Sequence, residues 1–249
     1  MSDYSGVLAE TVRISGHNGE SIVALYARPT GPGPFPGVVM IHTINGWDDW
    51  VNEAALKLAR NGYAAILPNL FDRVGPGSPD DQAARVREQG GVADAQVSGD
   101  VAACQAFLRS QTNSNDKVGM IGFCWGGRHV YLAAAQIKGF DAAVDCWGGG
   151  VGADPPRVSD LMPVNPLDVT NDIACPVLGI FGNDDQGPSP ADVNRTEAAL
   201  KQYGKTYEFH RYDGAGHGFF NYLRPSYRQE QAVDGWKQAF TWWDKYLKV

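Results

Sequence analysis

Long apolar runs are missing from this 249-residue chain. None approaches the roughly 18 consecutive apolar residues a spanning helix needs, so no membrane segment is expected. The opening stretch, "MSDYSGVLAE", has no basic residues followed by an apolar run. It does not read as a signal peptide, which makes the cytoplasm the expected location. Clusters of Lys and Arg are missing too, and the formal net charge is −7. Phosphate backbones are bound by clustered cations, so this balance argues against nucleic acid as a partner. Cysteine is sparse: Cys104, Cys124, Cys146 and Cys175 are all there is. No two form a C-x-x-C pair, and none lies near His at zinc-like spacing. No phosphate-cradling loop appears either, so neither metal nor cofactor is implied. Internal repeats and low-complexity segments are absent.

The sequence does contain a regular alternation. "TVRI" and "SIVALYARP" flank "SGHNGE" and read as an edge hairpin with period-two patterning. "GPGPFPG" (Gly31 to Gly37) reads as a loop, because proline cannot feed a sheet ladder. About 30 residues before it are too few for a domain, so residues 1–249 are expected to form one. "VVMIH" and "AAILP" are short apolar runs of the kind buried strands show, and "KVGMIGF", "AAVDCW", "PVLGIFG" and "TYEFHRY" read as further strands. Amphipathic or alanine-rich helical segments separate or follow them. Such alternation implies an α/β architecture, a mostly parallel sheet covered on both faces. Two irregular stretches, Gly75 to Asp81 and Gly148 to Asp172, are long enough to line a site.

One of the strands runs into "GFCWGG". Gly122, Cys124 and Gly126 make the pattern G-x-C-x-G between a strand and a helix, the context of a nucleophile elbow. Flanking glycines suit it, since so sharp a turn leaves no room for a Cβ. Cys124 then sits at a helix N-terminus, where a thiolate is favoured. The competing reading is a small structural cysteine in a tight turn. Further along, "FGNDD" ends a strand in acids and "DGAGHGFF" carries a Gly-flanked His. Nucleophile, acid and histidine come in the chain order of an α/β-hydrolase triad. Asp184 or Asp185 could orient His217; the spacing G-x-x-D from Gly182 selects Asp185. The Trp125 N–H and, from the turn "HTINGW", the Ile44 N–H are candidates for an oxyanion hole. Trp47, Trp125 and Trp147 follow strand ends and form either an aromatic pocket wall or ordinary core.

Together, "HTINGW", "NGYAAILPNLF", "REQ", "KVGMIGFCWGG", "FGNDD" and "AGHGF" resemble the dienelactone hydrolase family through nearly the whole chain. The resemblance implies an α/β-hydrolase fold with an N-terminal antiparallel hairpin. It also implies a Cys-Asp-His triad at Cys124, Asp185 and His217, oxyanion donors at Ile44 and Trp125, and a lactone or small ester as substrate. Three features depart from the family's pattern. Thr43 stands where founding members have a glutamate touching the nucleophile. Of the two arginines that grip a substrate carboxylate, the first matches Arg87, which could equally be a solvated helix arginine beside Glu88; the second is replaced by Asn221. The stretch from Gly148 is longer. The expected protein is therefore a cysteine hydrolase, monomer or homodimer, acting on a small molecule. Alternatives are an esterase or activated-phosphoester hydrolase with no carboxylate requirement, a non-catalytic binding protein, and a thiol redox protein pairing Cys124 with Cys146.

Overall fold

A computed structural model describes residues 6–248. Its first two strands, β1 (Val7–Ser15) and β2 (Ser21–Pro29), pair antiparallel in the expected hairpin. The remaining strands are β3 (Phe35–Ile41), β4 (Ala64–Pro68), β5 (Ser114–Phe123), β6 (Ala142–Cys146), β7 (Val177–Gly182) and β8 (Tyr207–Tyr212). The helices are α1 (Asp49–Arg60), α2 (Pro79–Glu88), α3 (Asp94–Ser110), α4 (Trp125–Gln136), α5 (Pro190–Gln202) and α6 (Gln229–Leu247). One eight-stranded sheet has the order β1-β2-β4-β3-β5-β6-β7-β8. β2 meets β4 antiparallel, and every pairing from β4 to β8 is parallel. The sheet is thus mixed, with the hairpin as its antiparallel edge.

Alternate residues of the central strands serve opposite faces, as a pleated sheet requires. Val38 and Met40 of β3 join the core beneath α1 and α6, with Trp50, Leu58, Trp236 and Trp243. Val39 and Ile41 join the other core, with Val86, Val101, Leu108 and Val130 of α2, α3 and α4. Both faces of β3 to β6 are therefore dry, which explains why these strands read as unbroken apolar runs.

Two expectations need correction. β3 begins at Phe35, inside the proline-rich stretch taken as loop. Its register with β5 jumps between Phe35 and Gly37, so Pro36 sits at the irregularity, where a missing N–H costs the ladder least. The stretch from Gly75 is irregular only to Ser78. There Ser78 Oγ accepts the Asp81 N–H at 3.2 Å and Asp81 Oδ2 accepts the Ser78 N–H at 3.0 Å. That capping box starts α2, with Pro79 at the first helical position.

Candidate active site

The strand-to-helix turn from β5 into α4 is forced by crowding. A Cβ on Gly122 would lie 2.1 Å from the Gly126 carbonyl oxygen, and one on Gly126 would lie 2.3 Å from that of Ile41. Only glycine fits at either place. Between them Cys124 takes φ 58° and ψ −115°, a conformation that side chains rarely adopt and that is costly unless the surroundings enforce it. The Cys124 N–H donates to the Cys146 carbonyl at 3.0 Å, and the Cys124 carbonyl accepts from Arg128 and Gly149. The thiol is left at the N-terminus of α4, half-buried.

His217 and Asp185 come from the loops after β8 and β7. Asp185 Oδ2 lies 2.8 Å from His217 Nδ1, and Oδ1 accepts the Gly187 N–H at 2.8 Å. Asp184 donates its N–H to the Ala215 carbonyl and leaves its side chain exposed. The Asp185 side chain is 2% exposed and that of His217 39%. A carboxylate on Nδ1 leaves Nε2 for Cys124. Burial works to lower the His217 pKa. It is outweighed by the Asp185 hydrogen bond and the neighbouring Cys124 thiol, and the imidazole is raised to about 10. Both partners favour the charged ring.

The turn after β3 supplies the opposite wall. Thr43 Oγ1 accepts the Asn45 N–H at 3.1 Å, and the Thr43 carbonyl accepts from Gly46. Among the described residues, the N–H groups of Ile44 and Trp125 donate to no protein acceptor. His42 lies below, fully buried. Its Nε2 accepts the Leu70 N–H at 3.2 Å, which puts the proton on Nδ1, 2.7 Å from the Thr43 carbonyl. Burial lowers its pKa to about 4, so it is neutral at ordinary pH.

Residues 22–247 match the dienelactone hydrolase family. A Methylorubrum extorquens protein, provisionally named a carboxymethylenebutenolidase, is 38% identical over 248 residues, covering 98% of this chain and 84% of that one. A Bradyrhizobium protein with the provisional name 2-oxo-3-(5-oxofuran-2-ylidene)propanoate lactonase is 29% identical, covering 90% and 89%. A Klebsiella pneumoniae structure, described provisionally as a dienelactone hydrolase, superposes with a TM-score of 0.88 at 32% identity, covering 97% of this chain and all of that one.

The chain belongs to the dienelactone hydrolase family. It is a hydrolase of the lactone and ester-cleaving kind, with the α/β-hydrolase fold. In this member two cavities open onto Cys124 and His217, and only these two residues line both. One, of about 410 Å³, is walled by Thr43, Ile44, Trp50, Trp147, Asn221 and Arg224. The other, of about 570 Å³, is walled by Trp125, Arg128, Gly150, Arg157, Met162 and Asp184, among others. Of the expected residues, Cys124, Asp185, His217, Ile44, Trp125, Thr43, Trp147 and Asn221 gather here. Arg87 does not: it is exposed on α2 and lines neither cavity, because the buried face of α2 takes Gln82, Ala83 and Val86. Trp47 does not either; it packs on the α1/α6 core, and Trp50, in the first turn of α1, lines the cavity instead. Met162, Arg128 and Arg224 carried no sequence signal, since none belongs to a motif, and His42 opens "HTINGW" without a role being read for it. Among the described residues no helix is long and apolar enough to cross a membrane.

Proposed function

We propose that Cys124 is a nucleophile that opens a lactone or carboxylic ester through a thioester, with His217 and Asp185 completing the triad. The carrying observation is the Asp185–His217 hydrogen bond together with a thiol on a strained elbow that lines the same two cavities as His217. With its pKa raised to about 10, His217 holds the proton that Cys124 gives up. The thiolate sulfur attacks the carbonyl carbon, and the oxyanion is met by the Ile44 and Trp125 N–H groups. As the carbon–oxygen bond breaks, Nε2 gives its proton to the departing oxygen, which leaves as an alcohol or enol. The sulfur is then tied up in a thioester, so the Cys124 share of the raised His217 pKa is gone while that of Asp185 remains. The ring is now basic enough only to take a proton from water, whose oxygen attacks the thioester and releases the acid and the thiolate.

Thr43 carries no charge to hold the thiol, so His217 alone serves as its proton acceptor. Arg87 lies outside both cavities, and Asn221 offers no positive charge. These two placements favour the reading in which a substrate carboxylate is not required. Apart from His217, Arg224 is the one cation among the described residues that line the Thr43-side cavity. The test is Cys124→Ala, assayed on a dienelactone and on its methyl ester beside the wild type. Turnover is expected to vanish in the variant, and the wild type is expected to accept the methyl ester at least as well as the acid. Turnover retained in Cys124→Ala overturns the nucleophile; a strong preference for the acid overturns the second reading.

A further inference from the structure

The cavity on the Trp125 side is lined by the start of α4, the loop after β7 and the chain between β6 and β7, which supplies Gly149, Gly150, Arg157 and Met162. That segment has little regular structure, yet it is tied down along its length. The Gly148 N–H donates to Asp145 Oδ1 at 2.8 Å, and the Gly149 N–H to the Cys124 carbonyl at 3.3 Å. Arg195 Nε donates to the Gly152 carbonyl at 2.7 Å. The Asp94 N–H donates to the Leu161 carbonyl at 2.8 Å, and Arg128 to the Val164 carbonyl at 3.2 Å. Ser159 and Met162 exchange both backbone hydrogen bonds, at 2.9 and 3.0 Å, closing a tight turn that leaves Met162 in the cavity wall. Arg128 is itself buried and held by Asp94 through two bonds of 2.6 and 3.0 Å. This wall is fixed rather than a flap.

Ligand cavities typically span roughly 300–1,000 Å³. Each of the two cavities at Cys124 reaches that size alone, at about 410 and 570 Å³. A compact lactone needs only one of them. Charge gives the Trp125-side chamber little selectivity. Asp94 cancels Arg128, His217 cancels Asp185, and the exposed Arg157 and Asp184 have opposite signs. The Arg157 stem lies over Gly150, with Cδ 3.5 Å from where a Cβ there would be, so an apolar surface faces inward while the head stays wet. Trp125, Met162 and bare glycine backbone complete a wall suited to an apolar group.

We propose that the substrate is an elongated ester with a sizeable apolar group on each side of the carbonyl, one half in each chamber, and that Met162 sets the size accepted on the Trp125 side. This narrows the substrate class and rests on Cys124 being the nucleophile.

Four esters test it on the full chain: methyl acetate, benzyl acetate, methyl phenylacetate and benzyl phenylacetate. Each buried methylene is worth roughly fourfold, so each enlargement is expected to raise kcat/KM by at least about tenfold, with the two gains multiplying. Met162→Trp, or Met162→Phe if the first fails to fold, should remove the gain for one enlargement and keep it for the other. A flat or falling kcat/KM on either enlargement overturns the proposal, as does a Met162 variant that lowers all four equally. A binding arm needs no chemistry. Calorimetry on Cys124→Ala should show benzyl phenylacetate binding more tightly than either one-sided ester, and equal affinities overturn the proposal. Failure of the nucleophile itself shows separately, as turnover by Cys124→Ala.

Discussion

His42 offers a test of how the turn carrying Thr43 and Ile44 is held. Its ring accepts the Leu70 N–H and reaches the Thr43 carbonyl, packed between Phe71 and Trp125 at centroid distances of 4.7 and 5.7 Å. Burial lowers its pKa from 6.5 to about 4. The unfolded chain therefore binds a proton below about pH 6.5 that the folded protein refuses until about pH 4. Stability contributed by the neutral ring is complete above the upper value and falls as pH drops through that window, by about 1.4 kcal/mol per unit. Between pH 7 and pH 5 the wild type should lose about 2 kcal/mol through this residue alone. His42→Gln keeps an acceptor for Leu70 but titrates nowhere in the range. It loses the ring contacts and the fixed placement of the donor on Thr43, about 2 kcal/mol at pH 7. Its cost should thus shrink almost to nothing at pH 5. Urea unfolding followed by tryptophan fluorescence at the two pH values measures this, other titrating groups cancelling in the difference. A cost equal at both pH values would refute the claim that burial keeps His42 neutral.

Three further outcomes are expected. Gly126→Ala places a Cβ 2.3 Å from one backbone carbonyl oxygen and 2.6 Å from another; it should cost about 3 kcal/mol or abolish folding, and an unchanged Tm contradicts the elbow geometry. Asp94→Asn leaves the Arg128 charge buried without its partner and should cost about 3–5 kcal/mol by denaturant unfolding; a loss well under 1 kcal/mol would show that the pair does not hold the Val164 segment. With the His217 pKa raised to about 10, kcat/KM for an alkyl ester should stay level to about pH 9 and fall above about pH 10, where the proton for the departing oxygen is lost. A nitrophenyl ester, whose leaving group needs no proton, should fall much less; identical profiles would place that proton elsewhere.

The alternation of β3 to β7 with helices was legible because the central parts of these strands are buried on both faces and read as apolar runs. α2 was not, although Ser78, Pro79 and Asp81 spell its start. It buries only Gln82, Ala83 and Val86, too few apolar positions for a helical period to show. Within the site, Cys124 and His217 stand out because their backbones need neighbouring glycines, and that need is written in the sequence. The choice of Asp185 over Asp184 follows from the backbone bond between the Asp184 N–H and Ala215, which turns the first side chain outward. Trp50 was hidden inside an ordinary amphipathic helix. Met162 and Arg157 were hidden for a different reason: the path of their segment is set by Asp94, Arg128 and Arg195, which lie 36 to 67 residues along the chain from the carbonyls they bond, those of Leu161, Val164 and Gly152. No local pattern can carry that information.

The most direct test is the intact mass of the protein after rapid quenching with a slowly hydrolysed ester, followed by peptide mapping. The account predicts a transient increase equal to the acyl group, on the peptide carrying Cys124, labile to hydroxylamine and absent from Cys124→Ala. Turnover with no such adduct, or with the adduct on another residue, would contradict it.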